Sequence, residues 1–292
     1  MNGFDVDPMR ATSLDVGRRS FVGLAAAATA GLGTVARGIA QPLPPMGQTH
    51  APLVPESDPG IAVGRPDLDA GGSTIASYAA WPKQADAKTP SVVVVMHVWG
   101  IDTSIRDVVR RFAAAGVAAI APDLYAHFNA PPGDGATDAS TFRPYAKLLE
   151  PKQYVADLRA GADWLATRFP STKTGIMGFC MGGHIALATA AATGKRFVAV
   201  CPFYGSPDGV DPKAIEIPLC GSYGARDTSI PPAAVEAFAA ALTVPNDVKI
   251  YPDAGHAFFD DQRASYVAPA AADAWKRTVA FLQHYAAEPA CS

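Results

Sequence analysis

From about residue 60 onward, continuous apolar runs alternate with stretches whose apolar residues recur at helical spacing. Ser91 to Val98 (SVVVVMHV) is unbroken and β-branched, the pattern of a strand buried on both faces. Thr103 to Ala115 then places Ile105, Val108, Val109 and Phe112 on one helical face and stops at Gly116. Val117 to Ala121 reads as the next strand, and Gln153 to Phe169 as an amphipathic helix. Thr174 to Phe179 is a short apolar strand running directly into an Ala-rich helix, Met181 to Ala192. Further strands are predicted at Phe197 to Phe203, Ile217 to Tyr223 and Val248 to Tyr251. Further helices are predicted at Pro232 to Leu242 and Tyr266 to Tyr285. Ser73 to Ala80 is a weaker strand, ended by Trp81-Pro82. This alternation predicts an α/β fold, a mainly parallel sheet with helices on both faces, as one domain over residues 60–288. A ligand site then belongs at the carboxyl ends of the strands. One interval breaks the rhythm. Tyr125 to Pro151, with Pro131-Pro132-Gly133-Asp134-Gly135 inside it, is too long for a routine loop and reads as a pocket wall.

The residues before this domain carry a different pattern. Arg18-Arg19-Ser20-Phe21 precedes a weakly apolar Ala/Gly run, and Gly38-Ile39-Ala40 offers small residues for cleavage. Together they resemble a twin-arginine export signal over residues 1–40, which places the mature protein in the periplasm. The run is too short for a comfortable membrane span, so no stable membrane insertion is expected. Residues 41–59 are Pro-rich and read as a linker. Losing residues 1–40 leaves 20 basic against 24 acidic residues. Neither that balance nor any basic run suits a nucleic-acid partner. Cys201 and Cys220 lie in apolar strands and read as core residues, while Cys291 is in the tail; no disulfide framework is evident.

Chemistry concentrates at Gly178-Phe179-Cys180-Met181-Gly182-Gly183. A strand turning at once into a helix strains the corner residue, and flanking glycines permit the close approach this needs. This is a nucleophile elbow with cysteine as nucleophile. A thiol at a helix N-terminus is expected to ionise below its usual value of about 8.5. Such an elbow predicts an acid after a later strand and a histidine after the last. Asp227 and His256 stand in those places, with Asp253 and Asp123 as weaker rivals for the acid. The oxyanion donors are expected at the N–H of Met181 and of Val98.

These motifs, with Ala121-Pro122-Asp123-Leu124-Tyr125 and Ala254-Gly255-His256-Ala257-Phe258-Phe259, resemble those of the dienelactone hydrolase family of the α/β-hydrolase fold, the carboxymethylenebutenolidases. The resemblance extends from about Ile61 to His284. It implies a Cys180–His256–Asp227 triad acting on a small ester or lactone through a thioester, without cofactor or metal. It also exposes three departures. His97 stands where the family carries a glutamate near the thiol, and His127 and Asp260 replace arginines that resemble a clamp for a substrate carboxylate. Loss of that clamp implies a neutral or differently charged substrate. Two readings of His97 stand: a partner of Cys180, or a neutral histidine satisfied within the core. His184 reads as a packing residue. A metal shared by His97, His127 and His256 lacks any close-spaced ligand pair. The rival functions are a thioesterase or general carboxylesterase on the same triad, and a non-catalytic periplasmic binding protein. The chain is read as a monomer.

Overall fold

The computed structural model describes residues 51–134 and 138–286. The predicted export signal, the linker as far as residue 50, and Cys291 lie outside the described residues.

Eight strands form the main sheet. In chain order they are β1 (Ile61–Gly64), β4 (Ser77–Pro82), β5 (Ser91–Val95), β6 (Ala118–Pro122), β7 (Thr174–Phe179), β8 (Val200–Phe203), β9 (Leu219–Gly224) and β10 (Asn246–Tyr251). Across the sheet the order is β1-β4-β6-β5-β7-β8-β9-β10, and β2 (Leu68–Asp69) with β3 (Thr74–Ile75) makes a separate small ladder. From β6 to β10 every pairing is parallel, while β1 and β4 run antiparallel at one side. The chain therefore has the α/β-hydrolase architecture. Its helices are α1 (Thr103–Ala114), α2 (Arg143–Ala146), α3 (Pro151–Arg168), α4 (Met181–Thr193), α5 (Pro232–Ala241) and α6 (Ala268–Ala286). Among the described residues no helix is long and apolar enough to cross a membrane.

β5 sits at the centre for a reason visible in its composition. Val92, Val93, Val94 and Val95 are wholly excluded from solvent, and burial of each contributes on the order of 1.5–3 kcal/mol. Its β-branched side chains suit a pleated surface covered on both sides. α1 starts where Asp102 caps it, accepting from the Ile105 N–H at 3.1 Å. The face expected to be apolar, Ile105, Val108, Val109 and Phe112, is buried. α3 begins two residues ahead of its predicted start because Pro151 fits the first helical turn.

Several boundaries differ from the pattern-based reading. The Ser91–Val98 run leaves the sheet at Val95, and the His97 carbonyl accepts from Gly100 N–H at 3.0 Å to turn the chain. Ser73–Ala80 is two elements, Thr74–Ile75 and Ser77–Pro82. Pro82 ends the latter inside the strand rather than stopping it, near the sheet's antiparallel side. The long interval after Tyr125 holds a short 3-10 turn at Ala139–Thr141 and helix α2, anchored by buried Phe142. Gly133 in this interval lies directly on the loop after β5. A Cβ there would fall 1.8 Å from the Trp99 carbonyl oxygen.

Candidate active site

The parallel strands deliver their carboxyl ends to one edge, and the strained backbone gathers there. Among the described residues, the non-glycine residues with positive φ are Cys180 (54°), Tyr204 (38°) and Ala257 (59°). Each costs conformational energy that surrounding structure must offset, and such strain clusters at functional sites. Cys180 stands between β7 and α4, as the residue just before the helix; its N–H donates to the Phe203 carbonyl at 3.0 Å. The turn closes only because Gly178 and Gly182 lack side chains. A Cβ on Gly178 would meet the Gly182 carbonyl at 2.2 Å, and one on Gly182 would meet the Met96 carbonyl at 2.3 Å.

Cys180, His256 and Asp227 lie in one row. The Cys180 Sγ is 3.0 Å from His256 Nε2, and His256 Nδ1 is 2.7 Å from Asp227 Oδ2. The other Asp227 oxygen accepts from Ser229 N–H (2.9 Å), Ser229 Oγ (2.7 Å) and Ile230 N–H (3.2 Å). Burial alone would raise the Asp227 carboxyl, but His256 and Ser229 hold it below its ordinary range. Burial would likewise lower the His256 imidazole. Its bonds to Asp227 and Cys180 prevail and push it up to about 10. The imidazole therefore keeps its proton through neutral pH, 3.0 Å from the Cys180 sulfur.

Donors for a developing oxyanion would come from two places. Met181 opens α4, where the N–H has no intrahelical acceptor. Val98 lies in the turn after β5, and its carbonyl accepts from the Tyr125 hydroxyl at 2.9 Å. The same hydroxyl is 3.8 Å from Met181 Sδ, so Tyr125 touches both residues expected to supply donors. Burial raises the Tyr125 phenol and keeps it a neutral donor.

The remaining candidates are placed elsewhere. Asp253 forms an exposed pair with Arg226 at 2.6 Å. Asp123 accepts the Tyr125 N–H at 2.9 Å and closes a turn. His127 Nε2 lies 3.0 and 3.1 Å from the two oxygens of Asp157, which also accepts from Gln153 Nε2 at 3.0 Å. Burial raises the Asp157 carboxyl despite those bonds. His97 approaches Asp102 Oδ1 at 2.9 Å, poorly aligned for a directed hydrogen bond, and Asp260 Oδ2 at 3.8 Å. His184 Nδ1 meets the Ser206 carbonyl at 2.9 Å, a structural tie. Among the described residues no group of three His, Cys, Asp or Glu side chains is arranged to hold a metal ion. Cys201 and Cys220 are wholly buried on adjoining strands β8 and β9.

Pattern reading missed three residues that this geometry brings in. Ser229 secures the acid, and the Asp227-Thr228-Ser229 turn sequence is a usable signal for it. Tyr204, on backbone of positive φ, lays its ring 5.2 Å from that of His256. Arg263 stacks 3.5 Å from the Trp99 ring centroid, a meeting of distant loops with no local signature.

Comparison with known proteins gives a consistent result. The sequence matches the model of the dienelactone hydrolase family over residues 75–286. An Escherichia coli (strain K12) protein named "Putative carboxymethylenebutenolidase" is 34% identical over 263 residues, 85% of this chain and 95% of the relative. A protein of the same name from Yersinia pestis is 36% identical over 245 residues, 77% of this chain and 90% of the relative. Among solved structures, the "Putative Dienelactone Hydrolase" of Klebsiella pneumoniae aligns with TM-score 0.70 at 33% identity. That alignment covers 77% of this chain and 99% of that one.

Proposed function

Because this chain belongs to the dienelactone hydrolase family, and is a hydrolase, we propose that it cleaves a small neutral ester or lactone with Cys180 as nucleophile. The observation that carries this reading is the row Sγ–Nε2–Nδ1–Oδ2, with contacts of 3.0 and 2.7 Å, set at a helix N-terminus. With the thiol proton carried by His256, the Cys180 sulfur attacks the carbonyl carbon, and the oxyanion is received by the Met181 and Val98 N–H groups. Collapse breaks the C–O bond, and His256 gives its proton to the departing alkoxide, leaving a thioester on Cys180. In a lactone the released hydroxyl stays tethered to the acyl group. Water then gives a proton to His256 and attacks the thioester, releasing the carboxylic acid and restoring Cys180. Asp227 holds the tautomer and stabilises the cation throughout.

The preference for a neutral substrate rests on the partners of the nearby cations. His127 is bound by Asp157, and Arg263 is paired with Asp260 at 2.8 Å and stacked on Trp99. A carboxylate on the substrate would have to displace one of these contacts. Twin arginines and the apolar run after them support export to the periplasm. Cell fractionation of wild type against an Arg18→Lys/Arg19→Lys variant tests that placement. Sedimentation at catalytic concentration tests the monomer.

The functional test is a panel of neutral and carboxylate-bearing esters, thioesters and lactones, run with wild type and Cys180→Ala. We expect turnover of neutral oxygen esters or lactones, reduced by at least about 10³-fold in Cys180→Ala. Preference for thioesters would favour a thioesterase. Stoichiometric binding without turnover would favour a binding protein.

A further inference from the structure

Beside the triad lies a second polar cluster, and the catalytic steps above do not use it. His97, Asp102 and Asp260 have side chains only 4–7% exposed. His97 sits between the two carboxylates, at 2.9 Å from Asp102 and 3.8 Å from Asp260. Arg263 closes the group from the other side, with Nε 2.8 Å from Asp260 and Nη2 3.5 Å from Asp102. Asp260 also accepts from Ser104 Oγ at 3.1 Å. Burial would raise the Asp102 carboxyl, yet His97, the Ile105 N–H and Arg263 hold it below its ordinary range.

The members of this cluster come from three separate pieces of chain. His97 belongs to the turn after β5, adjoining Val98, and its ring packs edge-on against Trp99 at 5.0 Å. Asp102 and Ser104 belong to the start of α1. Asp260 and Arg263 belong to the loop that carries His256. The Asp260 N–H donates to the carbonyl of Ala257, the strained residue next to His256, at 3.1 Å. Arg263 then reaches back and stacks on Trp99, 3.5 Å from the ring centroid. Four contacts, His97 to Asp260, Ser104 to Asp260, Arg263 to Asp102 and Arg263 to Trp99, join the Val98 side of the site to the His256 side.

A buried group of charges is a costly way to hold loops together. Apolar packing of similar volume is often neutral or stabilising by comparison, whereas fixed polar geometry specifies one arrangement. The two sides joined here must agree closely. One presents an oxyanion donor and the other the proton carrier, and both act on the same tetrahedral carbon.

We propose that His97, Asp102, Asp260 and Arg263 form a positioning network that fixes the separation of the Val98 turn from the His256 loop. His97 thus acts through the frame of the site and not on the Cys180 thiol. This inference rests on the catalytic reading above, since it assigns the network a consequence in turnover.

The test uses His97→Gln, Asp260→Asn, their double variant and Arg263→Met in the full chain, beside wild type and Cys180→Ala. Steady-state ester hydrolysis and the rate of Cys180 alkylation by iodoacetamide are measured on each. Loosening the frame should lower kcat by about 10- to 100-fold while KM changes less than about threefold, because the misplaced groups act mainly in the transition state. Alkylation, which needs no oxyanion donor, should stay within about twofold of wild type. The double variant should lose less than the product of its single losses, as expected for members of one unit. Arg263 is at the partly exposed edge, so Arg263→Met carries the same test if a more buried variant fails to fold. A lower Tm with kcat within about threefold of wild type would reduce the cluster to a structural element and overturn the inference. A parallel fall in alkylation would overturn it too, by making His97 an activator of the thiol. Wild type without Cys180-dependent turnover would remove the catalytic reading itself. Cys180-dependent turnover that survives in the network variants removes only the network.

Discussion

His256–Asp227 and His127–Asp157 are both histidine–carboxylate pairs on the carboxyl side of the sheet, with nitrogen–oxygen contacts of 2.7 Å and 3.0 Å. Their surroundings make them different objects. Asp227 gives one oxygen to the imidazole and commits the other to Ser229 and Ile230, so its charge is solvated by the protein. Asp157 has Gln153 and His127 as partners, and burial pushes its carboxyl up. His256 has its second nitrogen 3.0 Å from a sulfur, whereas the His127 contact uses Nε2 on the carboxylate itself. A carboxylate beside a histidine therefore does not make a catalytic base. What faces the other ring nitrogen does.

The strongest way to break this comparison is to remove the acid from each pair in turn. Asp227→Asn should lower kcat by on the order of 10²–10⁴-fold with little change in KM, because the tautomer and the cation both lose their support. Asp157→Asn should leave kcat within about threefold. Comparable losses from the two would mean that His127 also serves the reaction.

Removing the histidines should reverse the order of effects on stability. His127→Ala strands a buried carboxylate on Gln153 alone and should cost about 1–3 kcal/mol in denaturant unfolding, with turnover largely kept. His256→Ala should abolish turnover while the fold persists, since Asp227 retains its bonds from Ser229 and Ile230.

The smallest effect is a pH dependence, and its sign is fixed by direction. His256 is held up to about 10 from an ordinary 6.5. Its contribution to stability is therefore full below about pH 6.5, declines above it, and is gone once pH has risen through about 10. Asp227, held low, contributes above its ordinary value and loses that contribution as pH falls through the lower folded value. Asp157, held high, works in the opposite sense and favours the folded state at low pH. Carboxyl carbon NMR should place the Asp227 midpoint below 3.8 and that of Asp157 above it. Midpoints in the reverse order would contradict the comparison.

Sequence carried the triad further than the frame around it. Cys180, Asp227 and His256 each sit in a short motif with its own glycine or turn residue, at the ends of β7, β9 and β10. Asp253 ranks below Asp227 because it shares the loop of His256, and Asp123 because Pro122-Asp123 reads as a turn. β5 was legible because four consecutive valines have no other comfortable place than a strand buried on both sides. β1, four residues including a glycine, pairs antiparallel at the sheet's margin and offers no periodicity to read. The setting of His97 was illegible for a different reason. Its neighbours Asp102, Asp260 and Arg263 stand up to 166 positions away along the chain, and only folding makes them a cluster.

The most direct test of the central claim is to catch the acyl group on the enzyme. Wild type mixed with an activated neutral ester, quenched in acid during the first turnover, would be analysed by intact and peptide mass spectrometry. The account predicts one acyl adduct on the peptide bearing Cys180, removed by hydroxylamine and absent from Cys180→Ala. Ester turnover that proceeds with no adduct on Cys180, or that survives in Cys180→Ala, would contradict it.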